Sequence, residues 1–432
     1  MGVLSVIVLV TVFLLLLVLG TPISISIGIS SLCTMLLSID FLPSVTTVAQ
    51  RMATGLDSFA LLAIPFFILS GQFMNRGGIA RRLIEFAKVL VGWLPGGLAF
   101  VNILAAMLFG AISGSAVAAA AAIGGFMVSN MEKEGYDKAF STAVNITSST
   151  TGMIIPPSNI LIVYSLASGG VSIAALFIAG YLPGILVGLM LMLVSGLIAW
   201  KKGYPTVPGI PLKMAVLKFL DAIPSLMLIV IVIGGIVAGF FTATEASAIA
   251  VLYTFILSVL VYREVSWNHI PDILLKSAMT TSIVMLLIGT SMAMSWIMSY
   301  ENIPQSISAF LLNLTQNRLM ILLIINVILL FIGTFMDMTP AVLIFTPIFL
   351  PVVTNLGINP IHFGIMMVLN LSVGLCTPPV GSVLFVGCGI GNVSIEKVIK
   401  PLIPLFLAMI IALLLVTYFP WISMFLPRLF GY

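Results

Sequence analysis

The sequence predicts an all-α polytopic membrane protein with two inverted-topology repeats, each holding a re-entrant helical hairpin and a helix broken at a Pro-Pro pair. Three observations carry that prediction. First, 61% of the 432 residues are hydrophobic and only 7% are charged, with a mean hydropathy of +1.28. A soluble domain carries roughly a quarter charged residues, so this chain cannot cover a water-facing surface and must face lipid. Second, the chain has two Pro-Pro pairs, and both interrupt an apolar segment at the same place in a repeating order. Third, the basic residues gather on one side once the apolar runs are threaded through a membrane.

The composition excludes an ordinary soluble enzyme, a disordered chain and a collagen-like chain. A net charge of +4 without a basic run excludes a nucleic-acid patch. Cys33, Cys376 and Cys388 are far apart and form no CxxC, and two histidines, His269 and His362, are too few for a His-based metal centre. The N-terminal apolar run from Val3 has no basic stretch before it and reads as a retained helix, not a signal peptide.

The elements follow in order. Apolar runs at 3–19, 22–38 and 59–74 read as helices. Runs 98–112 and 116–130 are about 15 residues each, roughly 22 Å of helix against a hydrocarbon core of roughly 30 Å. They read as the arms of a re-entrant hairpin. Segment 139–168 is broken at Ile154-Ile155-Pro156-Pro157-Ser158-Asn159, because two prolines remove two donors and restrict the residue before them. Run 174–200 closes a first repeat over 1–210. The second repeat, 211–432, has runs at 222–241, 244–261 and 277–300. A hairpin of the same form follows over 319–354, then a segment 361–390 broken at Leu375-Cys376-Thr377-Pro378-Pro379-Val380-Gly381, and closing runs 401–420 and 421–427. Irregular backbone at membrane depth survives only inside protein or beside a water-filled cavity.

Spacing supports the repeat. Gly110 and Gly333 are 223 apart, the Pro-Pro pairs 222, Val171 and Val393 222, and Pro183 and Pro404 221. With the first hairpin entering from the cytoplasmic side, fourteen basic residues fall inside and only Arg51, Arg318 and Arg428 outside. The second hairpin then enters from the opposite face, an inversion found in many secondary transporters. Both termini come out on the non-cytoplasmic side.

The hairpin tips and the breaks carry the chemistry. The first tip, Gly110 to Ala116, places Ser113 and Ser115 around Gly114. Hydroxyls and loose carbonyls suit a hard cation such as sodium, and helix N-terminal amides suit a carboxylate. The second tip runs from Gly333 to Ala341 and holds Asp337, with no Lys or Arg within 18 residues. An intramembrane carboxylate is costly and is a functional candidate. Thr339 followed by Pro340 reads as a capping hydroxyl and a first helical proline. Pro156-Pro157-Ser158-Asn159 is expected to face the first tip, and Thr377-Pro378-Pro379-Val380-Gly381 the second. Asn145 and Asn370 read as helix-packing residues. Thr244 reads as a cap with Glu245 as a first-turn charge, and the Trp296–Glu301 stretch as a region that shapes selectivity. No P-loop, HExxH, GxSxG or paired intramembrane acid points to an enzyme.

Ser113-Gly114-Ser115-Ala116, Ile155-Pro156-Pro157-Ser158, Phe241-Thr242-Ala243-Thr244-Glu245-Ala246, Asp337-Met338-Thr339-Pro340 and Thr377-Pro378-Pro379-Val380-Gly381, in this order, resemble the DctM-type large membrane subunit of the tripartite ATP-independent periplasmic (TRAP) transporters. The similarity runs from about residue 2 to the C-terminus, with Ala243 where proline is common. It implies a sodium-coupled, elevator-type transporter in a bacterial inner membrane. It implies an organic-acid substrate (a C4-dicarboxylate, sialic acid or another sugar acid) delivered by a periplasmic binding protein, and a small four-helix membrane subunit as a separate chain. From both lines, sodium is expected at Ser113, Ser115 and Ser158, and at Gly333, Asp337, Thr339 and Thr377. The substrate is expected against Gly114, Ser115, Ala116, Pro157, Ser158, Asn159, Thr339, Pro340, Pro379 and Gly381. Helices near 22–38, 174–200, 244–261 and 401–420 are expected to form the scaffold. The rival reading is a divalent-anion/sodium symporter that works without a binding protein.

Overall fold

The computed structural model describes residues 2–206, 211–378 and 380–432; Pro379, expected in the substrate site, lies outside them. The described residues form helices and connecting turns, with no strand among them. Eight helical segments among them are long and apolar enough to cross a membrane.

The chain begins with α1 (Gly2–Val18), α2 (Ile23–Met35), α3 (Phe41–Leu56), α4 (Ala63–Arg76) and the amphipathic α5 (Ile79–Val91). The first hairpin is α6 (Gly97–Ser113) and α7 (Ala116–Lys133). The first broken helix is α8 (Lys138–Ser149), tightened into a 3-10 turn to Met153, then α9 (Asn159–Ala167). Next come α10 (Ile173–Lys202), α11 (Leu212–Val237), α12 (Ala243–Phe255), the long α13 (Ile270–Tyr300) and α14 (Ile303–Leu314). The second hairpin is α15 (Arg318–Phe335) and α16 (Met338–Asn355). The second broken helix is α17 (Pro360–Gly374) and α18 (Ser382–Gly391), followed by α19 (Ile395–Tyr418) and α20 (Trp421–Leu429).

The first break falls at its Pro-Pro pair and the second between Gly374 and Ser382, and both tips fall where small or polar residues interrupt the apolar runs. The arms of the second hairpin are longer than the sequence suggests. α15 and α16 have 18 residues each, about 27 Å of helix, and both are long enough to count as spans. The extension comes from their N-termini: Asn317 caps α15 at Arg318, and α16 begins at Met338, two residues before Pro340. Asp337, not Thr339, therefore holds the N-cap position. The same shift occurs in α12. Thr242 is its N-cap and makes a reciprocal capping box with Glu245, while the Thr244 hydroxyl donates to the Phe59 carbonyl at 3.0 Å.

Two glycine crossings fix each hairpin on its broken helix. Gly110 of α6 lies against Gly152, and Gly333 of α15 lies against Gly374; a Cβ on Gly374 would stand 2.7 Å from the Gly333 Cα. The second arm of each hairpin also packs on the half-helix of the other half, α7 on α18 and α16 on α9. Asn145 donates to the Ala120 carbonyl (3.0 Å), and Asn370 to the Asn326 carbonyl (2.9 Å), so both tie helices together.

The expected scaffold divides in two. α2 packs on α13, and α12 on α4 and α11, apart from the hairpins. By contrast α10 and α19 pack on each other and on α8 and α17. Segments 174–200 and 401–420 thus belong with the hairpins. The reason is local: Gly180 and Gly184 on α10 leave room for the Ile154 carbonyl and the Ile155 side chain of the first break.

Candidate functional site: a cavity where four helices begin

At the first tip, Gly114 takes a left-handed conformation (φ +60°) that turns the chain between the arms. A Cβ there would meet the Pro157 carbonyl oxygen and the Asn159 nitrogen at 3.3 Å, so the tip sits against the first break. Ser115 caps α7, its Oγ accepting from the Ala118 N–H at 3.3 Å. Ser113 is 3% exposed and its hydroxyl has no partner. Ser158 turns inward and donates to the Met153 carbonyl at 2.6 Å. The Met153 sulfur in turn lies 3.2 Å from the Ala116 nitrogen, filling the gap between tip and break.

At the second tip, Asp337 occupies the N-cap position of α16 but makes no capping bond. Its side chain is exposed by area yet crowded by protein, and it lines a partly open cavity. Across from it lies Ser382, whose Oγ has no hydrogen-bond partner and is near enough to couple electrostatically with the carboxylate. In the second break Thr377 donates to the Val373 carbonyl (3.0 Å), and its own carbonyl accepts from the Gly381 N–H (3.1 Å).

These elements enclose a cavity of about 170 Å³. Gly114, Ser115, Ala116 and Val117 line it from the first hairpin, and Met153, Asn159, Ile160 and Val163 from the first broken helix. Asp337 and Thr339 line it from the second hairpin, and Leu375 and Ser382 from the second broken helix. Ile64 and Ile68 of α4 and Thr280 and Val284 of α13 form the remaining wall.

Of the residues expected from sequence, Gly114, Ser115, Ala116, Asn159, Asp337 and Thr339 meet here. Ser113, Pro157, Ser158, Gly333, Pro340, Thr377 and Gly381 stand behind the surface, where they shape the tips, crossings and breaks. Sequence reasoning missed Ser382, Met153 and the α4/α13 wall. Ser382 had a signal: it opens the half-helix after the second break, as Asn159 does after the first. The Trp296–Glu301 stretch is elsewhere. Trp296 stacks on Tyr300, with ring centroids 5.3 Å apart, and the Glu301 carboxylate accepts from Ser5 and Ser38 at 2.8 Å each.

Four helices begin at this cavity: α7, α9, α16 and α18. Each N-terminus presents free N–H groups and about half a positive charge. No Lys, Arg or His lines the cavity among the described residues, and Asp337 is the sole acid. The arrangement suits an anion held by backbone amides. Asn159 and Ser382 line the cavity with unpartnered side-chain oxygens, as does the Asp337 carboxylate, and Ser113 behind the first tip keeps another; oxygen donors of this kind suit a hard cation such as sodium.

Residues 10–422 match the family "Tripartite ATP-independent periplasmic transporter, DctM component". The chain is 57% identical to the uncharacterized protein YgiK of Salmonella typhimurium over 97% of its own length and 96% of that protein's. It is 40% identical to the C4-dicarboxylate TRAP transporter large permease protein DctM of Rhodobacter capsulatus, over 95% and 96% of the two chains. Its fold is similar to the crystal structure of the Alcanivorax borkumensis YdaH transporter, with a TM-score of 0.65 at 15% identity over 91% of each chain. This chain belongs to the DctM family of TRAP transporter large permeases. It is a multi-pass membrane transport protein and not an enzyme.

Proposed function

We propose that this chain carries a small organic-acid anion across the bacterial inner membrane, coupled to sodium, after delivery by a periplasmic binding protein and in company with a small membrane subunit. The observation that carries the reading is the convergence of four helix N-termini on a cavity whose one charge is Asp337. Together the helix ends amount to about two positive charges, which exceeds one carboxylate and leaves a demand for an anion. Sodium sits on the oxygen side, near Asp337 and Ser382 and near Ser113 and Asn159. The acid's carboxylate docks on the amides between the two tips. The acid offsets charge at the helix ends and sodium offsets Asp337, which lowers the cost of moving each through the membrane.

Movement is by the hairpin-bearing body sliding past α4 and α13, with the two halves as inverted repeats. Matched glycine crossings and the exchange of α7 and α16 between halves support the repeat. An apolar groove of about 750 Å³ between α1, α13 and α14 on one side and α15 and α16 on the other supports the sliding seam. It is lined by apolar side chains alone, so no hydrogen bond must break as the faces shift.

The test is uptake into proteoliposomes holding this chain and its small subunit, under an inward sodium gradient, with and without the binding protein. Uptake that needs both sodium and the binding protein is expected. Sodium-driven uptake of a free divalent anion would replace this reading with the stand-alone symporter. Uptake indifferent to sodium would remove the coupling.

A further inference from the structure

The cavity is two-sided. The tips and breaks supply Asp337 and all but one of the polar side chains. The wall from α4 and α13 is Ile64, Ile68, Val284 and Thr280. Thr280 is thus the one polar side chain on that wall. Its hydroxyl proton is already given to the Lys276 carbonyl at 3.0 Å, so what it offers the cavity is a lone pair: it accepts and does not donate. The basic residue one turn before it, Lys276, is tied to Asp272 at 3.3 Å.

A second carboxylate that reaches this wall meets neither a donor nor a cation there, and burying it unpaired is expensive. A polyhydroxylated sugar acid would press several hydroxyls against Ile64, Ile68 and Val284, where only one acceptor exists. The volume points the same way. About 170 Å³ is well below the roughly 300–1,000 Å³ of sites for drug-sized molecules.

Resting on the transport reading above, we propose that the substrate is a small monoanionic hydroxy acid, and that Thr280 selects it by accepting its hydroxyl. The acid group binds the helix N-termini, the short carbon chain crosses the cavity, and the hydroxyl donates to Thr280 Oγ. Sialic acid and C4-dicarboxylates are then poor cargo for this chain.

The experiment measures apparent affinity of the full chain in lipid nanodiscs at saturating sodium, from shifts of the thermal midpoint with added lactate, propionate, succinate or N-acetylneuraminate. Lactate is expected to bind about tenfold more tightly than propionate, the worth of one good hydrogen bond, and succinate and N-acetylneuraminate more weakly still. Thr280→Val should bring lactate to the level of propionate and leave propionate unchanged, while Thr280→Ser keeps the preference. Succinate or N-acetylneuraminate binding as tightly as lactate overturns the proposal and leaves sodium-coupled transport standing. So does a lactate preference that survives in Thr280→Val. No sodium-dependent shift with lactate overturns the proposal, while the transport reading is judged by uptake with the binding protein.

Discussion

The two hairpin tips occupy matching places and use them differently. In the first, Ser115 stands at the N-cap of α7 and its side chain closes a capping bond. In the second, Asp337 stands at the N-cap of α16 and closes none. A carboxylate is among the best capping side chains, so Asp337, which faces Ser382 and closes no cap, forgoes stability at that helix end. The first tip is built for structure, and the second holds a charge in reserve for what enters the cavity. A feature that stabilises a protein and a feature that works in it are told apart here by whether the side chain's bonds are already spent.

The contrast can be broken by experiment. Asp337→Asn should cut sodium-driven uptake about a hundredfold, the order expected when one charge of an ion site is removed. The thermal midpoint should shift little, because no capping bond is lost and the amide keeps an acceptor oxygen beside Met338 and Ser382. Unchanged sodium dependence in that variant would end the role given to Asp337. Next in size are the glycine crossings. Gly110→Ala forces a Cβ onto the Gly152 backbone, whereas a Cβ on Gly333 stands 3.2 Å from Gly374. The first should cost about 2–3 kcal/mol of stability and the second clearly less, read by thermal unfolding in detergent. Equal losses would show that the two hairpins are seated alike. Ser115→Ala should cost about 1 kcal/mol, the usual worth of an N-cap, and retain sodium-dependent uptake. Loss of uptake without loss of stability would move Ser115 from structure to ion binding.

The smallest effect concerns a second carboxylate, one saturated with partners. Burial alone would raise the Glu85 carboxyl, but its pairs with Lys218 and Lys88 outweigh that and hold it below the ordinary 4.5. Its stabilisation is full above that ordinary value and drains away as pH falls through the lowered one. Unfolding temperature should therefore fall slightly as the pH drops below about 4.5, and Glu85→Gln should flatten that part of the curve. Full retention of the fall would assign it to other groups.

The hairpins and breaks were legible because proline and small polar residues disrupt a helix by local rules that need no partner. Helix starts were less so. Thr339-Pro340 and Thr244 both carry the right residue types, yet the chain starts each helix two residues earlier, at positions that depend on the turn before them. The wall of Ile64, Ile68, Thr280 and Val284 was invisible, since these are ordinary apolar-helix residues that become a surface only when distant helices meet. The scaffold assignment failed for a related reason. Length and hydropathy do not say which body a helix joins, while the Gly180 and Gly184 spacing on α10, which does, resembles general membrane-helix packing.

α13 has one further consequence. It runs for 31 residues, about 46 Å, and both ends are moored. Near its start Asp272 pairs with Arg76 and Lys276; just past its end Glu301 holds Ser5 and Ser38. A strut pinned at both ends keeps its middle still, and Thr280 lies on it. On the sliding mechanism proposed here, the cavity visits Thr280 at one end of its travel and leaves it at the other. Selection by Thr280 then acts like a customs post on one bank of a river, inspecting cargo on one side only, so that loading and release are judged by different surfaces of the same protein.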